Sequence, residues 1–103
     1  MRNIPFEWPI SEKLKKIADN KEYLQKKFKI KEIGTFGSYI HNTQKKKSDL
    51  DILVNFSETP SLFEFLETEE YLSNLLGVKV DLVMKNSLKK HLKKHILEEV
   101  IYL

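Results

Sequence analysis

The chain contains no cysteine. That excludes disulfide staples and thiolate metal sites together, and it fits a reducing compartment. Long hydrophobic runs are missing as well, and nothing approaches the roughly 20 apolar residues of a membrane-crossing helix. The lead Met1-Arg2-Asn3-Ile4-Pro5-Phe6-Glu7-Trp8-Pro9 lacks the apolar block of a signal peptide and carries an acid. Strong net charge is also absent. Lys and Arg number 18 against 15 Asp and Glu, a formal +3, which is too small a balance to make nucleic acid the expected direct partner. No internal repeat, low-complexity tract or linker interrupts the 103 residues. The expectation is a soluble, cytoplasmic protein, with no membrane partner, that folds as one domain over residues 1–103.

What is present is an ordinary globular composition, 41% hydrophobic and 11% aromatic, with 32% charged residues. Lysine clusters at Lys45-Lys46-Lys47 and again from Lys89 to Lys94. Such clusters attract phosphates or an acidic partner, although a solvated lysine face is the plainer reading. Ile10, Leu14, Ile17, Leu24 and Phe28 fall near helical spacing, which predicts one helix capped by Ser11 and running to about Phe28. Ile30 to Phe36 alternates as a strand that ends at Gly37, and a short helix starts at Gly37-Ser38. A polar loop leads to a second strand, Asp49 to Phe56. Pro60-Ser61 opens a helix with an apolar stripe through Leu76, closed by Gly77. Val78 to Met84 is β-branched and reads as a third strand. Ser87 caps a last helix with Leu88, Leu92, Ile96 and Val100 on its inner face. Helices alternating with strands predict an α/β domain with helices packed on a small sheet.

The acids carry the chemistry. Asp49 and Asp51 sit at i and i+2, so on a strand both carboxylates share one face, while Leu50, Ile52 and Val54 point the other way. Two such carboxylates repel, and burying them unpaired is expensive. A divalent cation neutralises both, and magnesium takes one or two carboxylates together with substrate phosphate oxygens. Asp81 repeats the pattern inside an apolar strand. If the two strands are neighbours, three acids converge in a geometry suited to two bridged metal ions and in-line displacement at phosphorus. Gly37-Ser38 supplies the other half: a glycine that lets backbone approach a phosphate, at a helix start that offers free N–H groups.

Gly37-Ser38, then Asp49-Leu50-Asp51, then Asp81 within Val80-Asp81-Leu82-Val83 resembles the polymerase-beta-like nucleotidyltransferase superfamily. Thr35-Phe36-Gly37-Ser38-Tyr39 and Ser48-Asp49-Leu50-Asp51-Ile52-Leu53-Val54 are close to the wording of its minimal nucleotidyltransferases, and the resemblance runs from the first strand to the C-terminus. It implies the minimal nucleotidyltransferase fold, α+β, a small mixed sheet of about three strands flanked by about four helices. It implies that Gly37 and Ser38 bind the triphosphate, that Asp49 and Asp51 are ligands of Mg2+ (two ions), and that Asp81 completes the metal site and helps activate the attacking hydroxyl. ATP is then the substrate and pyrophosphate the leaving group. The resemblance further implies an antitoxin that adenylylates a tyrosine of a HEPN-domain toxin ribonuclease. The alternatives are an antitoxin that acts by contact alone and a nucleic-acid nucleotidyltransferase. The sequence departs from the family at one point. Many relatives carry Arg-Gly a few residues after the Gly-Ser pair, where His41-Asn42 stands here, and neutral histidine lacks arginine's permanent charge and fork.

Other features invite a functional reading less strongly. His91 and His95 are one helical turn apart, but no third ligand lies nearby and lysines surround them, so they read as solvent-exposed. Phe63 and Phe65 read as core and interface residues rather than as a base-stacking platform.

Overall fold

A computed structural model of the chain describes residues 4–103, so Met1, Arg2 and Asn3 at the head of the lead lie outside the described residues. The elements are α1 (Pro9–Asp19), α2 (Lys21–Phe28), β1 (Ile30–Phe36), a 3-10 turn (Ser38–His41), β2 (Leu50–Phe56), α3 (Leu62–Leu76), β3 (Val80–Met84), a second 3-10 turn (Lys85–Ser87), α4 (Lys90–Glu99) and β4 (Ile101–Tyr102). The sheet order is β3-β2-β1-β4. β1 is antiparallel to β2 and to β4, while β2 and β3 are parallel and joined through α3. The result is the expected α+β architecture, a mixed sheet with helices packed on it.

Period-2 burial sets the phase of each strand. Leu50, Ile52 and Val54 of β2 and Val80 and Leu82 of β3 are buried and join Ile10, Ile17, Leu24, Phe28, Leu72 and Leu76 from the helices in one core. The intervening residues therefore point to the opposite face, and on that face Phe36, Asp51 and Asp81 form a cross-strand row. A bulge between Ile30 and Glu32 leaves Lys31 as the extra residue. It turns Ile30 onto the same core as Ile33, although plain alternation places these two on opposite faces.

β3 is a sheet edge, and edges need cover. The outward N–H of Val80 donates to Ser73 Oγ at 3.0 Å and that of Leu82 to Glu69 Oε2 at 2.9 Å. Two side chains of α3 thus hold β3 in register. The start of α3 is a full capping box: Glu64 N–H donates to Ser61 Oγ at 3.1 Å and Ser61 N–H to Glu64 Oε1 at 2.8 Å. That bonding holds the Glu64 carboxyl below its usual range. At the other end, Lys13 Nζ donates to Leu76 O at 3.0 Å and ties α1 to the C-terminus of α3.

Several expectations need correction. The first helix is two helices that break at Asn20. Asn20 Nδ2 donates to Lys16 O at 2.8 Å, and this local bonding competes with continuation of the helix. Ser11 is not the cap; Trp8 is the N-cap residue and Pro9 takes the first helical position, where its missing N–H costs nothing. Ser87 does not cap α4 but closes a 3-10 turn, and Lys89 is the N-cap residue. Leu92 of α4 is exposed rather than inward, while Ile96 of α4 and the flanking Leu88 and Val100 are half-buried. Phe63 is 82% exposed, whereas Phe65 is half-buried and stacks edge-on with Phe56.

Thr35 is fully buried on the helix-facing side of the sheet, and its hydroxyl has no hydrogen-bond partner among the described residues. An orphaned buried hydroxyl costs on the order of 1–3 kcal/mol. Thr35→Val is therefore expected to raise stability by about 1 kcal/mol in urea melts. A loss of that size would show that the hydroxyl is bonded.

Candidate active site

The parallel register pairs Asp51 with Asp81, and the antiparallel one pairs Asp51 with Phe36, the residue before the glycine. Asp51 is half-buried, Asp81 is exposed and Asp49 is half-buried just before β2. Burial first, then the charges of Asp81 and Asp49, a hydrogen bond with Asp81, and the charge of Glu99 raise the Asp51 pKa from 3.8 to about 6. The neighbouring like charges thus bear on Asp51 and make it hold a proton more readily than a free carboxyl.

Gly37 follows directly. Its φ of 82° and ψ of −157° lie in a region essentially reserved for glycine. A Cβ at this position would overlap the Asp51 carboxylate. The glycine is therefore required both for its backbone angles and for close approach to Asp51. Ser38 begins the 3-10 turn, and its carbonyl accepts from Thr43 N–H at 3.0 Å, which closes the turn. Asn42, at φ 54°, makes the exit.

The structure brings Gly37, Asp51 and Asp81 together. Asp49 acts on Asp51 through its charge, yet among the described residues no group of three or more carboxylate or imidazole side chains is gathered tightly enough to hold a metal ion. The convergence of three acids is thus realised as a pair with a near neighbour. The donors are all carboxylate oxygens, the set that suits Mg2+, which fills its remaining positions with water and phosphate oxygens. A cation there would also relieve the repulsion that raises Asp51.

Beside the acids lies an open cavity of about 580 Å³ lined by Lys13, Lys45, Lys46, Lys47 and Lys79 together with Asp49. The lysine loop is held by a reciprocal turn in which Lys45 N–H donates to Ser48 Oγ at 2.8 Å and Ser48 N–H to Lys45 O at 3.0 Å. The loop thus presents its charges next to Asp49.

Glu99 is a site residue that sequence reading did not find. Its Oε1 accepts from Gly37 N–H at 2.9 Å, and its Oε2 lies 3.1 Å from His41 Nε2 and 3.9 Å from His95 Nε2. These contacts hold its carboxyl below its usual range against the opposing effect of burial. His41 is exposed but engaged with Glu99. Among the described residues, His91 and His95 form no metal cluster.

A mixed sheet that sets paired acids against a glycine turn is the scaffold of a nucleotidyl-transfer enzyme. Residues 12–103 match the nucleotidyltransferase domain family, and the chain belongs to that family, among its minimal members. The protein adenylyltransferase MntA of Thermococcus cleftensis is 54% identical over 86 residues, which are 84% of this chain and 87% of that protein. A solved structure provisionally named a minimal nucleotidyltransferase superposes with a TM-score of 0.75 at 32% identity, over 89% of this chain and 94% of that one. A toxin–antitoxin crystal structure with AMP-PNP matches with a TM-score of 0.67 at 28% identity, over 82% and 69% of the two chains.

Two outcomes follow for the isolated protein. Asp51 has a raised pKa, so the fold favours its protonated form, and the associated stability is present at low pH and lost as pH rises from 3.8 to about 6. Thermal melts of Asp51→Asn minus wild type should therefore show a stability gain that grows across that window. A pH-independent difference would mean that Asp51 is not strained. Gly37→Ala should cost about 1–3 kcal/mol or more, since alanine is strained at these angles and also meets Asp51. An unchanged urea midpoint would contradict the close approach.

Proposed function

We propose that the protein is a magnesium-dependent adenylyltransferase that moves AMP from ATP onto a tyrosine hydroxyl of a cognate HEPN-domain toxin and thereby neutralises the toxin's ribonuclease activity. The observation that carries this reading is the contact of the Gly37 backbone with the Asp51 carboxylate, in one row with Asp81. That arrangement sets backbone without a side chain against a pair of acids. It is supported by the relative at 54% identity named a protein adenylyltransferase. Toxin–antitoxin structures also support it, one with AMP-PNP at 28% identity and another, of an MntA–toxin pair, at 26%.

Asp49, Asp51 and Asp81 would hold Mg2+, which when bound neutralises charge on the acids and the triphosphate. The chain's own groups account for the rest. Gly37 N–H and the Ser38 hydroxyl orient the triphosphate. Lys45, Lys46 and Lys47 steer an anion toward Asp49. Asp81, the most exposed of the acids, accepts the tyrosyl proton as the phenolic oxygen attacks the α-phosphorus. The new bond is phosphorus to tyrosyl oxygen, the bond from α-phosphorus to its bridging oxygen breaks, and pyrophosphate leaves. Catalysis of this kind is mostly positioning and charge neutralisation. The added AMP brings negative charge and bulk, both of which oppose the binding of RNA at a ribonuclease site.

One observation favours a second reading, in which the chain neutralises its partner by contact alone: Gly37 N–H is already bonded to a carboxylate of the same chain. Co-expression with the HEPN-type genomic neighbour, followed by intact-mass measurement of that neighbour, separates the two. Adenylylation gives a gain of one or more AMP units that is absent with Asp49→Asn. Neutralisation with no mass gain is the outcome of contact alone, and labelling of RNA instead of protein would move the reaction to nucleic acid.

A further inference from the structure

We propose that Glu99 sets the nucleotide affinity of this enzyme by occupying the Gly37 N–H that a phosphate oxygen must take. The inference rests on the reading above that the triphosphate binds at Gly37. Glu99 Oε1 stands 2.9 Å from that nitrogen, so the carboxylate is a phosphate surrogate supplied by the chain itself. One N–H cannot serve both acceptors at full strength. The second oxygen of Glu99 is held by His41 at 3.1 Å, with His95 at 3.9 Å, so the carboxylate is moored on both sides.

The mooring comes from the fold. Glu99 is the last residue of α4, and β4 follows immediately, pairing Thr35 with Ile101 and Gly34 with Tyr102. Val100 and the Ile101 carbonyl pack so closely on Gly34 that a Cβ there would collide with both. The chain is therefore pinned one residue after Glu99, and its carboxylate is delivered to the residue that follows β1. His41, on the 3-10 turn that follows Gly37, has Glu99 as its partner. The carboxylate also acts on Asp51, adding to the charge that raises that side chain. A triphosphate entering this site displaces one anion from the glycine turn and meets a like charge beside the acids. Both effects weaken its binding, and removing the carboxylate removes both.

The test is calorimetry of MgATP binding to wild type, Glu99→Ala and Glu99→Gln, together with the Gly37 amide resonance in 15N-labelled protein. Glu99→Ala is expected to tighten MgATP binding by about tenfold, the scale of one hydrogen bond to a charged group. Glu99→Gln keeps the shape and removes the charge, so it should tighten binding by a smaller factor and decides the matter if the alanine variant fails to fold. The Gly37 amide should shift in both variants and shift again with MgATP. Unchanged or weaker binding in both folded variants, with Gly37 still responding to MgATP, would overturn the role of Glu99 and leave the nucleotide site standing. Wild-type binding of MgATP with no change at Gly37 would instead overturn the nucleotide site on which the inference rests. Unchanged affinity with a lower transfer rate would make Glu99 part of the chemistry and so contradict competition.

Discussion

Asp51 and Asp81 face each other across the parallel pairing of β2 and β3, and the rest of the molecule holds that like-charge contact in place. A one-residue slip of β3 would turn Asp81 into the apolar core and Val80 and Leu82 out of it. Two features oppose the slip. Alternate residues on both strands are buried, with Leu50 facing Val80 and Ile52 facing Leu82. Ser73 and Glu69 of α3 also take the free N–H groups of β3 at fixed positions. The apolar face and the helix thus supply the stability that lets the opposite face keep two carboxylates in contact.

The glycine turn follows from the same row. Phe36 pairs with Asp51, so the residue after Phe36 leaves the sheet directly over that carboxylate. Only a residue without Cβ fits. Charge around the row is divided by sign. Acids line the sheet face, lysines line the adjoining cavity, and Glu99 with its two histidines closes the side nearest the turn. On the proposed reading, an anion drawn by these lysines meets carboxylates of its own sign. A cation removes that conflict.

Much of this was legible in the sequence, because burial and chemistry share a period. The strand Ile30–Phe36 coincides with its sequence reading, and the Asp-Leu-Asp alternation placed the acids on the face away from the core. The α3 cap at Ser61 was legible because capping is local. The break at Asn20 was not, since the apolar spacing runs through it, nor was the bulge at Lys31, which changes phase without changing composition. β4 was missed because two residues carry no period. Glu99 was hidden for a topological reason. Its partner Gly37 lies 62 positions away, and only the return of α4 and β4 to β1 brings them together.

We propose that Asp51 and Asp81, with Asp49 beside them, form a magnesium site completed by nucleotide. Titration of ATP into the wild-type protein with magnesium and again with EDTA tests it most directly. Binding is expected with magnesium and none measurable without it, since carboxylates facing a triphosphate repel it. Equal affinity under both conditions would contradict the claim.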